Sequence, residues 1–211
     1  MKREAPAASR NAAAIVAALE PLLRERSGDV LEIGGGTGQH AVALATALPA
    51  LRWWPTDPDP AQCASIDAWR AEAGAANLQA PLALDAATDV WPIGSAGWPA
   101  EGLSAIYTAN VVHITPPAVM RGLFAGAGRH LAEAGLLLLY GPFRWSGHHV
   151  AESNAAFDAD LRRRDASWGV RDVDELDAHA GRAGLSRRDA IAMPANNHVL
   201  VYERGGEGDA S

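Results

Sequence analysis

Cysteine is nearly absent from this 211-residue chain, which has Cys63 alone. One cysteine excludes an intrachain disulfide and a zinc site built from several thiolates. The neighbouring histidines His148 and His149 have no third histidine at helical ligand spacing, so we expect no metal site. Cys63 has no obvious base beside it, which indicates a structural thiol in a reducing, cytoplasmic setting.

Long apolar runs and an excess of positive charge are also missing. The longest apolar run, Gly135–Tyr140, is far shorter than the ~20 residues of a membrane helix. The first residues lead into alanines without the apolar core of a signal peptide. The formal net charge is -7, which argues against a surface that neutralises the phosphates of DNA or RNA. We therefore expect a cytoplasmic protein that binds neither nucleic acid nor membrane.

Apolar strands alternate with segments of helical period over the first 140 residues. Such alternation predicts an α/β fold, with a mostly parallel sheet and helices on both faces. The apolar fifth strand is typical of the centre of such a sheet. Strands are predicted at 30–33, 51–55, 79–85, 103–109 and 136–140, with helices at 12–23, 39–48, 61–73 and 119–131.

The pattern changes after residue 140. Residues 141–172 are polar and rich in turn residues, with a helical stretch at 154–164, and we interpret them as an insertion over the active-site end of the sheet. A helix at 173–183 and a strand pair at 186–193 and 199–204 complete the chain. We expect one domain over 1–204 and a disordered tail over 205–211.

The strongest local signal is the segment Glu32-Ile33-Gly34-Gly35-Gly36-Thr37-Gly38, which follows a strand and opens a helix. Glycines permit positive φ and let a ligand approach the backbone, here at the strand ends where α/β sheets bind ligands. A dinucleotide-binding loop would have its third glycine at residue 39, which is Gln39. The E-x-G-x-G-x-G spacing instead resembles motif I of class I S-adenosylmethionine (SAM)-dependent methyltransferases, in which this loop holds the amino-acid half of SAM.

Two carboxylates extend the pattern. Asp57 follows the second strand, 19 residues beyond Gly38, where a carboxylate can accept both ribose hydroxyls. Asp85 ends the third strand and, by the resemblance, would accept from the adenine amino group. Either residue alone is equally well explained as a helix cap or turn residue. The glycine loop and both carboxylates on three successive strand ends predict a nucleotide-type ligand.

Asn110 and His113 follow the fourth strand. Asn110 is a candidate to bind the methionine part of SAM or to orient an acceptor. His113 is a candidate general base, because imidazole titrates near neutrality. The alternative for His113 is a cap of the next helix or packing beneath the loop.

Three further segments are more distinctive than the glycine loop: Tyr140-Gly141-Pro142-Phe143, Glu152-Ser153-Asn154 and Met193-Pro194-Ala195-Asn196-Asn197. With them, the chain from about Pro6 to Glu203 resembles the methyltransferase-like 26 family of class I SAM-dependent methyltransferases. The resemblance implies a Rossmann-like, seven-stranded, mostly parallel sheet with an antiparallel last strand, and SAM as cofactor. Pro117 departs from the pattern, which has an aromatic residue there.

The candidate site residues fall into three sets. Arg10 and Asn11 are expected to precede the first helix and fold over the cofactor, and the other polar residues gather at strand ends. For Asn196 and Asn197, simple turn chemistry is an equal alternative. The cofactor set is Arg10, Asn11, Glu32, Gly34, Gly36, Gly38, His40, Asp57, Asp85 and Asn110; the acceptor set is Tyr140, Phe143, Ser153, Asn154, Asp158, Asn196 and Asn197; the catalytic set is His113 and Asn110.

Three functions are compatible with these residues. The first is in-line methyl transfer from SAM to a small molecule, which the acidic charge and the short insertion favour over a nucleic-acid acceptor. The second is a SAM-binding sensor or partner protein without catalysis. The third is an NAD-dependent oxidoreductase, against which Gln39 in place of a glycine counts.

Overall fold

The computed structural model describes residues 1–206. Short 3-10 turns lie at Val111–His113 and Pro194–Asn196. The helices are α1 (Pro6–Leu23), α2 (Gln39–Ala47), α3 (Pro60–Ala73), α4 (Pro117–His130), α5 (Glu152–Arg164) and α6 (Val173–Arg182), and the strands are β1 (Gly28–Ile33), β2 (Leu51–Thr56), β3 (Leu103–Ala109), β4 (Leu131–Gly141), β5 (Arg144–Trp145), β6 (His148–His149), β7 (Leu185–Met193) and β8 (Asn197–Arg204).

Six of these strands form one mixed sheet in the order β2-β1-β3-β4-β8-β7. β1 pairs parallel with β2 and β3, and β3 pairs parallel with β4. β8 pairs antiparallel with both of its neighbours. The predicted α/β class and the antiparallel last strand are confirmed. The carboxyl ends of β1, β2, β3 and β4 therefore share one edge of the sheet, which is where α/β folds bind ligands.

The segment predicted as the third strand runs beside β2 without forming a regular strand. It meets β2 at two isolated parallel bridges, Trp53 with Leu78 and Thr56 with Leu82. Pro81 lies between the two bridges and has no backbone N–H to donate, which limits regular pairing there. The regular sheet has six strands, and the expected seventh is an irregular edge segment.

The two faces of the sheet carry separate apolar cores. Successive residues of β4 point to opposite faces. Leu137 and Leu139 lie in the cluster that includes residues of α4 and α6, and Leu136 and Leu138 lie in the cluster that includes residues of α1 and α2. Each buried leucine contributes about 1.5–3 kcal/mol. This packing fixes the carboxyl end of β4, from which Tyr140 projects.

Helix α1 begins six residues earlier than the sequence predicts, at Pro6 instead of residue 12. Proline is favoured at the first position of a helix because its φ is already helical and its missing N–H is not needed there. Arg10 and Asn11 consequently lie within α1 and do not precede it, which corrects the sequence-based expectation. Both side chains remain near the ligand-binding edge of the sheet.

The insertion over 141–172 contains the β5–β6 hairpin and α5. The tail predicted to be disordered, 205–211, lies outside the described residues from 207 onward. No helix within residues 1–206 combines the length and the apolar character needed to cross a bilayer.

Candidate active site

The glycine loop ends β1 and turns into α2 with little space for side chains. A Cβ on Gly34 would lie 2.4 Å from Val111 Cγ2, and a Cβ on Gly38 would lie 2.7 Å from Ile66 Cα. At Gly36, where φ is +56°, a Cβ would meet no atom within 4 Å. Gly34 and Gly38 therefore serve packing, whereas Gly36 leaves open space above the loop.

That open space belongs to a cavity of about 450 Å³, hereafter the first cavity. Its size is within the range of small-molecule sites. It brings together seven of the predicted cofactor residues, which come from α1, the glycine loop, α2 and the ends of three strand segments. They are Asn11, Gly34, Gly36, His40, Asp57, Asp85 and Asn110.

Asp57 is fixed to the glycine loop by backbone hydrogen bonds. Its Oδ2 accepts from Gly36 N at 3.0 Å, and its Oδ1 accepts from Asp59 N at 2.9 Å. The side chain is only 7% exposed, and burial raises its pKa from the ordinary value, against the opposing effect of the two amides. Each carboxylate oxygen keeps a further lone pair, so Asp57 can also accept from a ligand in the first cavity.

Asp85 is exposed at the rim of the first cavity. Its Oδ1 accepts from Ala87 N at 2.9 Å, which forms a local turn. The second carboxylate oxygen remains available to a donor in the cavity. Asp85 thus combines the turn role and the cavity position that the sequence left as alternatives.

Glu32 lies beneath the glycine loop and does not line the first cavity. It is 2% exposed, and its Oε2 accepts from Trp53 Nε1 at 2.7 Å. Burial, with the negative charge of Asp57 adding to the effect and the Trp53 bond opposing it, raises the pKa of Glu32 to about 8. The carboxyl group is therefore protonated at neutral pH and supports the loop from below. Gly38, also predicted to contact the cofactor, is absent from the cavity wall as well.

A chain of polar side chains links α2, α1 and β4 across the site. Asn11 Oδ1 lies 2.8 Å from His40 Nε2, and Asn11 Nδ2 donates to Tyr140 Oη at 3.3 Å. Burial lowers the pKa of His40 to about 4, so the ring is neutral and donates to Asn11. This chain holds the first turns of α1 over the ends of the strands.

Two glutamines that the sequence analysis did not name as site residues contribute to the site. Gln39 Oε1 accepts from Ala5 N at 2.7 Å and from Thr37 Oγ1 at 2.8 Å, and its Nε2 donates to Ser9 Oγ at 2.6 Å. Gln62 lines the first cavity, and its buried Oε1 has no hydrogen-bond partner within residues 1–206. A buried acceptor without a partner is costly, so a donor from a ligand would stabilise it. Gln39 directly follows the glycine motif, and Gln62 lies in no recognisable motif.

A second cavity of about 530 Å³ adjoins the first. The two cavities share Ala7, Asn11 and Asn110. The second cavity brings together five of the predicted acceptor residues and Arg10, which was predicted to contact the cofactor. They are Arg10, Tyr140, Ser153, Asn154, Asn196 and Asn197.

Asparagine amides connect the insertion with the β7–β8 turn on this wall. Asn154 Nδ2 donates to Asn196 O at 3.0 Å, and Asn196 Nδ2 donates to Ser153 Oγ at 3.4 Å. Asn196 has φ +58°, a left-handed conformation that asparagine tolerates better than most residues. Turn chemistry and cavity lining therefore coexist at Asn196.

Asn110 lies at the junction of both cavities. Its φ is +61°, and its N–H donates to Tyr140 O at 2.8 Å. Strained left-handed residues cluster at functional sites when the surrounding structure holds them in place. The pairing with β4 provides that support here.

Three predicted residues lie in the protein interior instead of the cavity walls: His113, Phe143 and Asp158. The His113 ring is fully buried, its Nδ1 accepts from Arg171 N at 3.3 Å, and its centroid lies 5.1 Å from that of Phe143. Burial, with Arg171 adding to the effect, lowers the pKa of His113 to about 3. Asp158 Oδ1 accepts from Val170 N at 2.7 Å. His113 lines neither cavity and packs beneath the loop, which is the alternative that the sequence offered, and its role as a general base stays a prediction.

One family description matches almost the whole chain. The family described as "Protein of unknown function (DUF938)" matches residues 2–204.

Solved structures of methyltransferases share the fold. SibL, a SAM-dependent methyltransferase in its apo form, is 22% identical with a TM-score of 0.73, over 94% of this chain and 56% of that chain. An O-methyltransferase family 2 protein from Planctomyces limnophilus, in complex with apigenin, is 21% identical with a TM-score of 0.76, over 94% and 58%. The mitomycin 7-O-methyltransferase MmcR is 18% identical with a TM-score of 0.75, over 94% and 54%.

The chain thus spans slightly more than half the length of these proteins. At such identities the similarity establishes the fold alone, which is the Rossmann-like α/β fold of class I SAM-dependent O-methyltransferases.

Proposed function

Because the chain belongs to the DUF938 family and has the class I methyltransferase fold, we propose that it is a SAM-dependent methyltransferase of a small molecule. The resemblance to the methyltransferase-like 26 family is part of this proposal. The observation that carries it is the convergence of Gly36, Asp57 and Asp85 on one cavity that adjoins a second.

The residues of the first cavity fit SAM. Gly36 leaves the space above the loop that the amino-acid half of SAM needs, and Gln62 offers a buried acceptor without a partner. Asp57 would accept from the ribose hydroxyls and Asp85 from the adenine amino group. Asn110 would bind the methionine part. When bound, SAM supplies an electrophilic methyl group on a sulfonium.

The second cavity is proposed to hold the acceptor. Asn11 and Asn110 belong to both cavity walls, so they would fix the acceptor relative to the cofactor. Positioning of this kind removes about 7–11 kcal/mol of barrier in favourable intramolecular cases. We assign no proton transfer to His113, since it is fully buried and lines neither cavity.

The second cavity favours an enzyme over a SAM sensor. A sensor would need the first cavity only, whereas the adjoining space of about 530 Å³ supports a two-substrate site. An NAD-dependent oxidoreductase is disfavoured by Gln39, whose side chain holds the start of α1.

The experiment is to incubate the protein with methyl-labelled SAM and a metabolite extract, and to identify the labelled product by mass spectrometry. We expect one labelled small molecule with the wild type and with Asp67→Ala, a matched change on the exposed face of α3. Asp57→Ala should give little product. Binding of SAM without any transfer to the extract would refute catalysis and leave the sensor function.

A further inference from the structure

We propose that the acceptor is a carboxylate, which Arg10 binds in the second cavity and which is methylated on oxygen without a general base. This inference rests on the SAM-dependent transfer proposed above and adds the chemical class of the acceptor.

The charge of the second cavity is the first observation. Arg10 is the one charged residue on its wall, which has no aspartate, glutamate, histidine or lysine. Arg10 is exposed, and its guanidinium forms no ion pair or hydrogen bond with another side chain within residues 1–206. A guanidinium binds a carboxylate through two parallel hydrogen bonds. The other polar groups are mainly the amides of Asn11, Asn110, Asn154, Asn196 and Asn197.

Four of these amides suit the same ligand, because an amide NH₂ has two N–H donors and no charge to oppose Arg10. Asn11, Asn154 and Asn196 each use one N–H within the protein and keep the other for a carboxylate oxygen. Both N–H groups of Asn197 donate to backbone carbonyls, so Asn197 is left out of this set. The acidic side chains that line a cavity of the site are Asp57, Asp59 and Asp85, and they line the first cavity and not the second. The positive charge of Arg10 is therefore not neutralised within the second cavity, and an anionic acceptor would be favoured there.

The second observation concerns proton removal. His113 is buried, and His40 lines only the first cavity, where it is bonded to Asn11. Tyr140 faces the second cavity, but burial raises the pKa of its phenol. An alcohol or an ammonium acceptor would have to lose a proton before or during attack. A carboxylic acid has a pKa of about 4 and is already ionised at neutral pH.

The transfer to a carboxylate is balanced without a proton. One carboxylate oxygen forms the bond to the methyl carbon, the bond between that carbon and sulfur breaks, and its electron pair remains on sulfur. The negative charge of the acceptor and the positive charge of the sulfonium are both lost. The products are a methyl ester and a neutral thioether.

The binding test uses matched pairs of small probes: benzoate and benzamide, phenylacetate and phenylacetamide, and hexanoate and hexanamide. Each is titrated by ligand-observed NMR into protein saturated with S-adenosylhomocysteine (SAH). We expect the carboxylate of at least one pair to bind about tenfold more tightly than its amide, from the charge-assisted bonds to Arg10. Arg10→Gln should abolish this preference, whereas Arg24→Gln, at the other end of α1, should retain it.

Three binding results would overturn the proposal. These are equal binding of the two members in every pair, a carboxylate preference that survives in Arg10→Gln, and no binding of any carboxylate at millimolar concentration. Circular dichroism of each variant separates these results from misfolding.

A product test separates this proposal from the transferase itself. Labelled product from the extract is treated with mild alkali, which releases labelled methanol from a methyl ester but not from an ether, a thioether or a methylamine. We expect volatile label. Label that stays with the product would overturn the carboxylate proposal and leave methyl transfer intact, whereas SAH binding with no labelled product would refute methyl transfer.

Discussion

Replacing Asp57 by alanine should weaken the binding of SAH by at least about tenfold. Each Asp57 oxygen accepts one backbone N–H, from Gly36 or from Asp59, and keeps a lone pair for a ligand hydroxyl. A hydrogen bond to a charged group contributes about 1.5–3 kcal/mol. Loss of one such bond corresponds to an increase in Kd of about 10- to 150-fold. Asp57 is only 7% exposed, so solvent screening should reduce this effect little.

Isothermal titration calorimetry with SAH measures the effect directly. Asp67→Ala is the matched control. Asp67 is exposed on α3, the helix that follows Asp57, and it lines neither cavity. Thermal unfolding of each variant shows whether the freed N–H groups of Gly36 and Asp59 have disturbed the loop.

A SAH analogue without the ribose 2′-hydroxyl identifies the contact. The wild type should bind this analogue more weakly than SAH, and Asp57→Ala should bind the two almost equally. The ribose assignment is refuted if folded Asp57→Ala binds SAH as the wild type does, or if the analogue loses the same affinity in both proteins.

The remaining predictions concern the loop and the buried ionisable groups. Gly36→Ala places a methyl group in open space at a φ of +56°, so calorimetry should show weakened SAH binding and Tm should fall by the cost of a left-handed alanine. Gly38→Ala has a φ of +96° and also meets backbone at 2.7 Å, so it should lower Tm more; equal Tm losses would contradict this division. Glu32 has a folded pKa of about 8 against 4.5 unfolded, so its contribution to stability is complete below pH 4.5 and is lost as the pH rises towards 8. The Tm of Glu32→Gln relative to wild type should therefore rise between about pH 5 and pH 8.5, and a constant difference would argue against the buried carboxyl. His113 and His40 have folded pKa values of about 3 and 4 against 6.5 in the unfolded chain. Below pH 6.5 both stay neutral in the folded protein while the unfolded chain takes up protons. Their contribution to the free energy of unfolding should therefore be complete above pH 6.5 and fall below it by up to about 1.4 kcal/mol per pH unit for each histidine. His113→Gln should make this slope shallower in urea unfolding, and an unchanged slope would count against a neutral buried ring.

Much of the fold is predictable because local periodicity sets the elements. The strand predicted at 103–109 is β3 with the same bounds, since it is apolar along its length and bounded by turn residues. The start of α1 was missed because its alanines carry no apolar period, whereas its position depends on Pro6 and on contacts with Gln39. The irregular third strand depends on its pairing with β2, which no local pattern records.

The site divides in the same way. Gly36, Asp57 and Asp85 converge because the ends of neighbouring parallel strands share one edge, so their order along the chain was sufficient to place them together. His113 and Asp158 lie outside both cavity walls because contacts with residues 169–171 hold them in the interior. Their residue types suggested chemistry, whereas their burial is a tertiary property.

A crystal structure of the protein with SAH tests the central claim most directly. The account predicts SAH in the first cavity, with its ribose hydroxyls on Asp57, its adenine near Asp85 and its amino-acid part above Gly36. A crevice without SAH at saturating concentration, or SAH bound elsewhere on the protein, would contradict it.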